Sequence, residues 1–168
     1  MRSLALVVVL LLPTHALTAQ QPERPRCDTP EYRQFDFWVG DWVVTAEDGR
    51  VLGRNVITSV LDGCALLESW TGAAGGTGHS LNAWDRTTGK WRQLWIDNSG
   101  GRLELAGGLD EGAMVLSNET KRPDGQTVHQ RVAFEPQKEG LRQIWSRSLD
   151  GGRTWQVLFD GIYRRERR

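Results

Sequence analysis

"SLNAWDRTTGKWRQLWIDNSGGRLELAG", residues 80–107, decides the fold. Three runs of alternating character are separated by "RTTG" and "NSGG", clusters of residues that make tight turns. A period of two is the mark of a strand, and turns this short join antiparallel neighbours. Working outward, the pattern recurs on both sides. "DWVVTA", "VLGRNVITSVL" and "CALLESWT" come before; "AMVLSNE", "TVHQRVAFE", "LRQIWSRS" and "TWQVLFDGIYR" come after. With "SLNAWD", "KWRQLWIDN" and "RLELAG" the strands number ten, and "EDGR", "DEG", "PDG", "KEG" and "DGGR" supply further turns. No helix-length periodic segment interrupts them. The class is all-β, a ten-stranded antiparallel up-and-down meander. Closure into a barrel is expected because it removes exposed strand edges. A two-sheet sandwich is the alternative.

The ends of the chain read differently. Arg2 followed by "LALVVVLLL" has the charge and length of an export signal and is too short to span a bilayer as a stable anchor. "THALTA" then offers small residues for cleavage, so residues 1–19 are expected to be a signal peptide. Residues 20–28 read as a polar linker and 29–168 as a single β-barrel domain, an ordinary size for one core. "DTPEYRQFDFW" predicts a short helix ahead of the first strand. Asp28 or Thr29 can cap it, Pro30 fits its first turn and Glu31 suits its positive end. Tyr32, Phe35 and Trp38 recur every three residues and give it an aromatic side.

Charge is balanced, with 21 Lys plus Arg against 21 Asp plus Glu. No net field favours nucleic acid or an anionic membrane. Cys27 follows Arg-Pro-Arg, unlike a lipid-attachment site, so no membrane anchor is expected and the protein reads as a secreted or periplasmic monomer. Two thiols, Cys27 and Cys64, in an oxidising compartment point to one disulfide. Closing that loop stabilises by about 4 kcal/mol in the chain-entropy model. The alternative is two free thiols.

Several motifs carry no chemistry. "SLDGGRTW", residues 148–155, matches the Asp-box pattern S-x-D-x-G-x-T-W; a single copy reads as a structural turn held by Asp150. "TGAAGGTGHS", residues 71–80, lacks the Lys-Ser/Thr of a phosphate loop and reads as a flexible loop at a barrel mouth. His79 and His129 have no metal-spaced partner, and no nucleophile elbow is present, so neither a catalytic constellation nor a cofactor is indicated. The informative feature is polar residues interleaved with Trp. One strand face carries Trp91, Gln93, Trp95 and Asp97; others carry Glu68 with Trp70, Ser80 with Asn82 and Trp84, and Gln143 with Trp145. With those faces inward, Glu68, Asn82, Gln93, Trp95, Asp97, Gln143 and Trp145 would line a cavity suited to a small amphipathic ligand. The alternative parity packs a dry Trp core and turns the polar groups to solvent.

"FWVGDW", residues 37–42, resembles the G-x-W start of calycin barrels, the lipocalins and fatty-acid-binding proteins. The resemblance implies a lipocalin-like barrel in which a short helix closes one end. It also implies that Trp42 packs there against an arginine of the last strand, Arg164 or Arg165, with Arg164 taken as the barrel-closing partner. More closely, the chain is similar to a bacterial family of small secreted proteins of unknown function. The matching motifs are "FDFWxGxW", "GCxLxESW", "GxSLNxxD", "WxQxWxDxxGG" and "DGxYRR", from Phe35 to Arg165. Nitrobindin-type haem barrels are also ten-stranded, and carrying haem over requires an axial His79 or His129.

The expectation is therefore an exported binding protein that holds a small, partly apolar ligand in a Trp-lined barrel cavity. The alternatives are an enzyme using Glu68 or Asp97 as acid or base, and a haem carrier through His79 or His129.

Overall fold

The computed structural model describes residues 27–166. The expected signal peptide, 1–19, and linker residues 20–26 lie outside the described residues. The chain opens with α1 (Pro30–Arg33) and a 3-10 turn (Asp36–Trp38). Ten strands follow: β1 (Gly40–Thr45), β2 (Val51–Val60), β3 (Ala65–Gly72), β4 (Thr77–Asp85), β5 (Lys90–Asp97), β6 (Arg102–Asp110), β7 (Ala113–Lys121), β8 (Thr127–Gln137), β9 (Gly140–Ser148) and β10 (Gln156–Arg165). Each strand pairs with its sequence neighbours, and β1 pairs antiparallel with β10, so the sheet is a closed up-and-down barrel rather than a sandwich.

Two local expectations change. The helix is a single turn continued by the 3-10 turn, and the Thr29 hydroxyl donates to the Glu31 carboxylate (2.5 Å) instead of capping a backbone N–H. The glycine-rich stretch is mostly strand. Gly72 N–H donates to Gly76 O (2.7 Å), which leaves only residues 73–76 as a tight turn.

Strand alternation gives the barrel two unlike ends. One gathers the start of β1, the end of β10 and the even-to-odd connections such as β2–β3 and β4–β5. Here the 3-residue aromatic repeat does its work: Tyr32, Phe35 and Trp38 are all buried. Phe35 stacks on Trp38 at 4.8 Å and meets the edges of Trp91 (5.5 Å) and Phe134 (4.9 Å). Leu66, Leu105, Met114, Leu116 and Leu141 complete this plug. Rings of this size dominate a small core's energetics because each buries a large apolar area.

Trp42 lies beside the plug, its indole N–H donating to Trp38 O (2.8 Å). The arginine over its ring is Arg165, with the guanidinium carbon 4.0 Å from the centroid. Arg164, expected as the closing residue, points the other way and donates to Thr45 Oγ1 (3.3 Å). The reason is parity: Arg165 shares the inward face of Tyr163, and one residue along the strand reverses the side. Arg165 also donates to Val39 O (2.6 Å), across the space above Gly40. A Cβ on Gly40 would come within 1.6 Å of the guanidinium, so the glycine of G-x-W keeps that space free.

Cys27 and Cys64 form a disulfide, with an S–S distance of 1.97 Å. It ties the segment before α1 to the 3-10 turn Leu61–Gly63 between β2 and β3, also at the plugged end. Arg33 reinforces the join by donating to the carbonyls of Cys27 (3.3 Å) and Gly63.

The Asp-box is the β9–β10 turn at the opposite end. Asp150 accepts from Ser148 Oγ (2.8 Å), Thr154 N–H (2.9 Å) and Thr154 Oγ1 (2.6 Å). These bonds hold its carboxyl well below the usual carboxylate range.

Candidate functional site

The unplugged end contains a cavity of about 250 Å³. Its lining is Trp70 from β3, Trp95 and Asp97 from β5, Trp145 from β9 and Phe159 from β10, with Glu68, Gln93, Gln143 and Tyr163 deeper in. Leu103, Val132 and Leu158 complete it; Leu158 sits where a bulge shifts the β9–β10 register. Of the residues singled out in the sequence, Glu68, Gln93, Trp95, Asp97, Gln143 and Trp145 are brought together here. Asn82 is not. It is fully buried, and its amide is spent on Ser80 Oγ (2.8 Å) and Leu66 O (3.4 Å), outside the cavity.

The polar groups form one network below the rings. Asn55 Nδ2 donates to Glu68 Oε1 (2.7 Å) and to the Tyr163 hydroxyl (3.2 Å). Tyr163 in turn donates to Gln143 Oε1. Ser80 Oγ donates to Glu68 Oε2 (2.5 Å) and accepts from Asn82 and, at 3.5 Å, from Gln93. These bonds satisfy the donors of Asn55 and Asn82 and both Glu68 oxygens, while Asn55 Oδ1 and Asn82 Oδ1 have no hydrogen-bond partner in the protein; a polar group left alone in a dry interior costs about 1–3 kcal/mol.

Asn55, Ser80 and Tyr163 are thus parts of the site that the sequence did not yield as site residues. Asn55 had a signal, a lone amide between Gly53 and Ile57 on the inward face of β2. Tyr163 lies in "DGIYRR", which was informative first for its arginines.

The two acidic residues differ sharply. Burial pushes the Glu68 carboxyl above its ordinary value, and the hydrogen bonds from Ser80 and Asn55 offset this only in part. Asp97 is held down to about 2 by bonds from Ser99 Oγ and from the N–H groups of Gly101 and Ser99. It is the fixed anion of the β5–β6 turn, and an acid that weak in proton affinity is a poor general acid or base near neutral pH. Burial also raises Tyr163, first by desolvation and then by the neighbouring Glu68 charge.

Glu68 makes a testable pH dependence. Its native carboxyl binds a proton more tightly than the unfolded one, which titrates near 4.5. Its contribution is therefore complete below the unfolded value and is lost as pH rises through the native value. Glu68→Gln should remove that loss, so the difference in urea stability between variant and wild type should grow in the variant's favour from pH 4 upward. Parallel stability–pH curves would contradict it.

Neither histidine reaches the cavity. His79 is on the outer wall, 3.2 Å from Ser69 Oγ, and His129 faces outward, 3.7 Å from Glu119. Each sits between two inward residues, Gly78 and Ser80 or Val128 and Gln130, so strand alternation turns it out. The haem alternative through His79 or His129 is corrected on this ground. Among the described residues no group of three or more His, Cys, Asp or Glu side chains is placed to hold a metal ion.

Fold and cavity together define an antiparallel barrel plugged at one end, with an aromatic pocket over a polar floor at the other. No family model matches the chain, and no curated protein matches it.

Proposed function

We propose that the protein is an exported binding protein that holds a small, partly apolar molecule in this cavity. The observation that carries the reading is the layering: three Trp and a Phe above a hydrogen-bonded floor of Glu68, Gln93, Gln143 and Tyr163. Apolar walls supply contact, and a few directed polar groups supply orientation. The disulfide fits an oxidising compartment, and among the described residues no helix is long and apolar enough to cross a membrane. The resemblance to calycin barrels agrees with the binding reading, and that to the secreted "FDFWxGxW" family agrees with export alone. A cavity of about 250 Å³ has room for roughly eight water volumes, so the ligand has on the order of ten non-hydrogen atoms.

The enzyme alternative has one observation in its favour, the raised Glu68 carboxyl. Both Glu68 oxygens are already hydrogen-bonded by Asn55 and Ser80, which favours a role in the floor over proton transfer.

The test is a tryptophan-fluorescence titration with a panel of this size: indole, benzyl alcohol, hexanoic acid and 2-phenylethylamine. At least one should shift the emission saturably. Gln93→Leu and Trp145→Ala should each weaken that ligand about fivefold while the barrel stays folded, since one directed bond or one ring contact is worth about 1 kcal/mol. A flat response to the whole panel, or affinities indifferent to both variants, would remove the cavity as the binding site.

A further inference from the structure

Three glycines explain why the cavity is hollow. A Cβ on Gly53 would lie 2.7 Å from the Trp70 ring, one on Gly78 2.3 Å from Trp95, and one on Gly161 2.7 Å from Phe159. Each of these rings rests on the bare backbone of a glycine and hugs the wall instead of filling the centre. Trp70 and Phe159 meet edge to face, with centroids 5.9 Å apart and planes at 89°.

Two of the three indole N–H groups are also engaged. Trp95 Nε1 is 3.4 Å from Asp97 Oδ2, and Trp145 Nε1 donates to Gln130 Oε1 (3.1 Å). With their donors engaged by wall groups, these two rings offer a ligand mainly carbon and π density. The electron-rich faces of Trp, Tyr and Phe attract a cation.

The charges in the lining agree. It contains two carboxyl groups, Asp97 and Glu68, and among the described residues it contains no Lys, Arg or His. The nearby Arg147 is outside the lining and donates to Gln156 Oε1 (2.9 Å). An anionic ligand would meet Asp97 with no countercharge, whereas a cation would neutralise it.

Resting on the carrier reading above, we infer that the ligand is a small organic cation, a quaternary ammonium or protonated amine, held among Trp70, Trp95, Trp145 and Phe159 with Asp97 as counter-charge. The aromatic walls take the alkyl groups and share the positive charge. Gln93, Gln143 and the Tyr163–Glu68 floor receive whatever polar group the cation carries at its other end.

Three molecules of nearly equal shape test this: choline, its uncharged carbon counterpart 3,3-dimethylbutan-1-ol, and the anionic 3,3-dimethylbutanoate. Each is titrated by calorimetry and tryptophan emission against the full chain. Choline should bind about 10–30-fold more tightly than the alcohol, the range expected for a desolvated cation–π contact, and the anion should give no response. Trp145→Leu should bring the choline-to-alcohol ratio close to one. Asp97→Asn should do likewise, and because Asp97 also holds the β5–β6 turn, Trp145→Leu decides the matter if that variant unfolds. Equal or tighter binding of the alcohol would overturn the cation and leave the carrier standing. A response to the earlier uncharged or acidic panel members with none to choline or 2-phenylethylamine would do the same. Silence from every molecule in both sets would remove both readings.

Discussion

Trp42→Ala should lower the free energy of unfolding by about 3–5 kcal/mol, the range for truncating a fully buried large aromatic. Trp42 is 2% exposed and joins several parts of the plugged end at once. Its N–H bonds Trp38 O, its ring edge meets Tyr163 at 6.1 Å, and Arg165 covers its face. Removing the ring leaves a cavity, an unpaired carbonyl and a guanidinium without its platform, and these losses act in the same direction. A control separates packing from charge. Arg164→Ala removes an equal charge from the outer wall and should stay within about 0.5 kcal/mol, as surface changes do. Arg165→Ala should fall between the two. Urea unfolding followed by far-ultraviolet circular dichroism reads all three; a Trp42→Ala loss below about 1 kcal/mol would show that the plug does not depend on this residue.

Much of this architecture was legible because strands advertise themselves twice, by alternation and by the turns that end them. "KWRQLWIDN" shows both, and its inward face of Trp91, Gln93, Trp95 and Asp97 is the one the structure uses. The parity of Ser80 and Asn82 also puts His79 on the outer side, although the sequence alone kept it open as a haem ligand. What stayed hidden depends on how strands sit against one another. Arg165 rather than Arg164 closes the barrel because Trp42 is paired across to Arg165, a fact of register between β1 and β10. Asn55 had no Trp on its strand to mark the inner face. Gly53, Gly78 and Gly161 look like ordinary strand irregularities until the rings that lie on them come from Trp70, Trp95 and Phe159. Asn82 shares the correct face and still misses the cavity, because it lies one step nearer the plug, opposite Leu66. Parity says which side a residue is on; it does not say how near the plug it lies.

Replacing both Cys27 and Cys64 with Ser should cost about 2–5 kcal/mol. The bridge spans 37 positions of sequence, and closing a loop of that length removes about 4 kcal/mol of chain entropy from the unfolded state. Both residues must change, because a single substitution leaves a thiol free to pair between molecules. The loss should be largely global: the folded barrel still has Phe35, Trp38 and Phe134 packed together, whereas the unfolded chain gains the freedom. One local effect should accompany it. Arg33 holds the carbonyls of Cys27 and Gly63 together, and without the covalent tie the segment before α1 depends more heavily on that exposed pair. Hydrogen exchange should therefore quicken at Tyr32 and Gln34, whose N–H groups close the α1 turn, before it quickens in β4 or β5. The cavity is at the far end, so a ligand that binds the wild type should bind the folded double variant with affinity unchanged within about twofold. Alkylation of either thiol in native, unreduced protein would show the bridge absent. A double variant as stable as wild type would show that the tie contributes nothing, and a double variant that folds but loses its ligand would show that the two ends of the barrel are coupled.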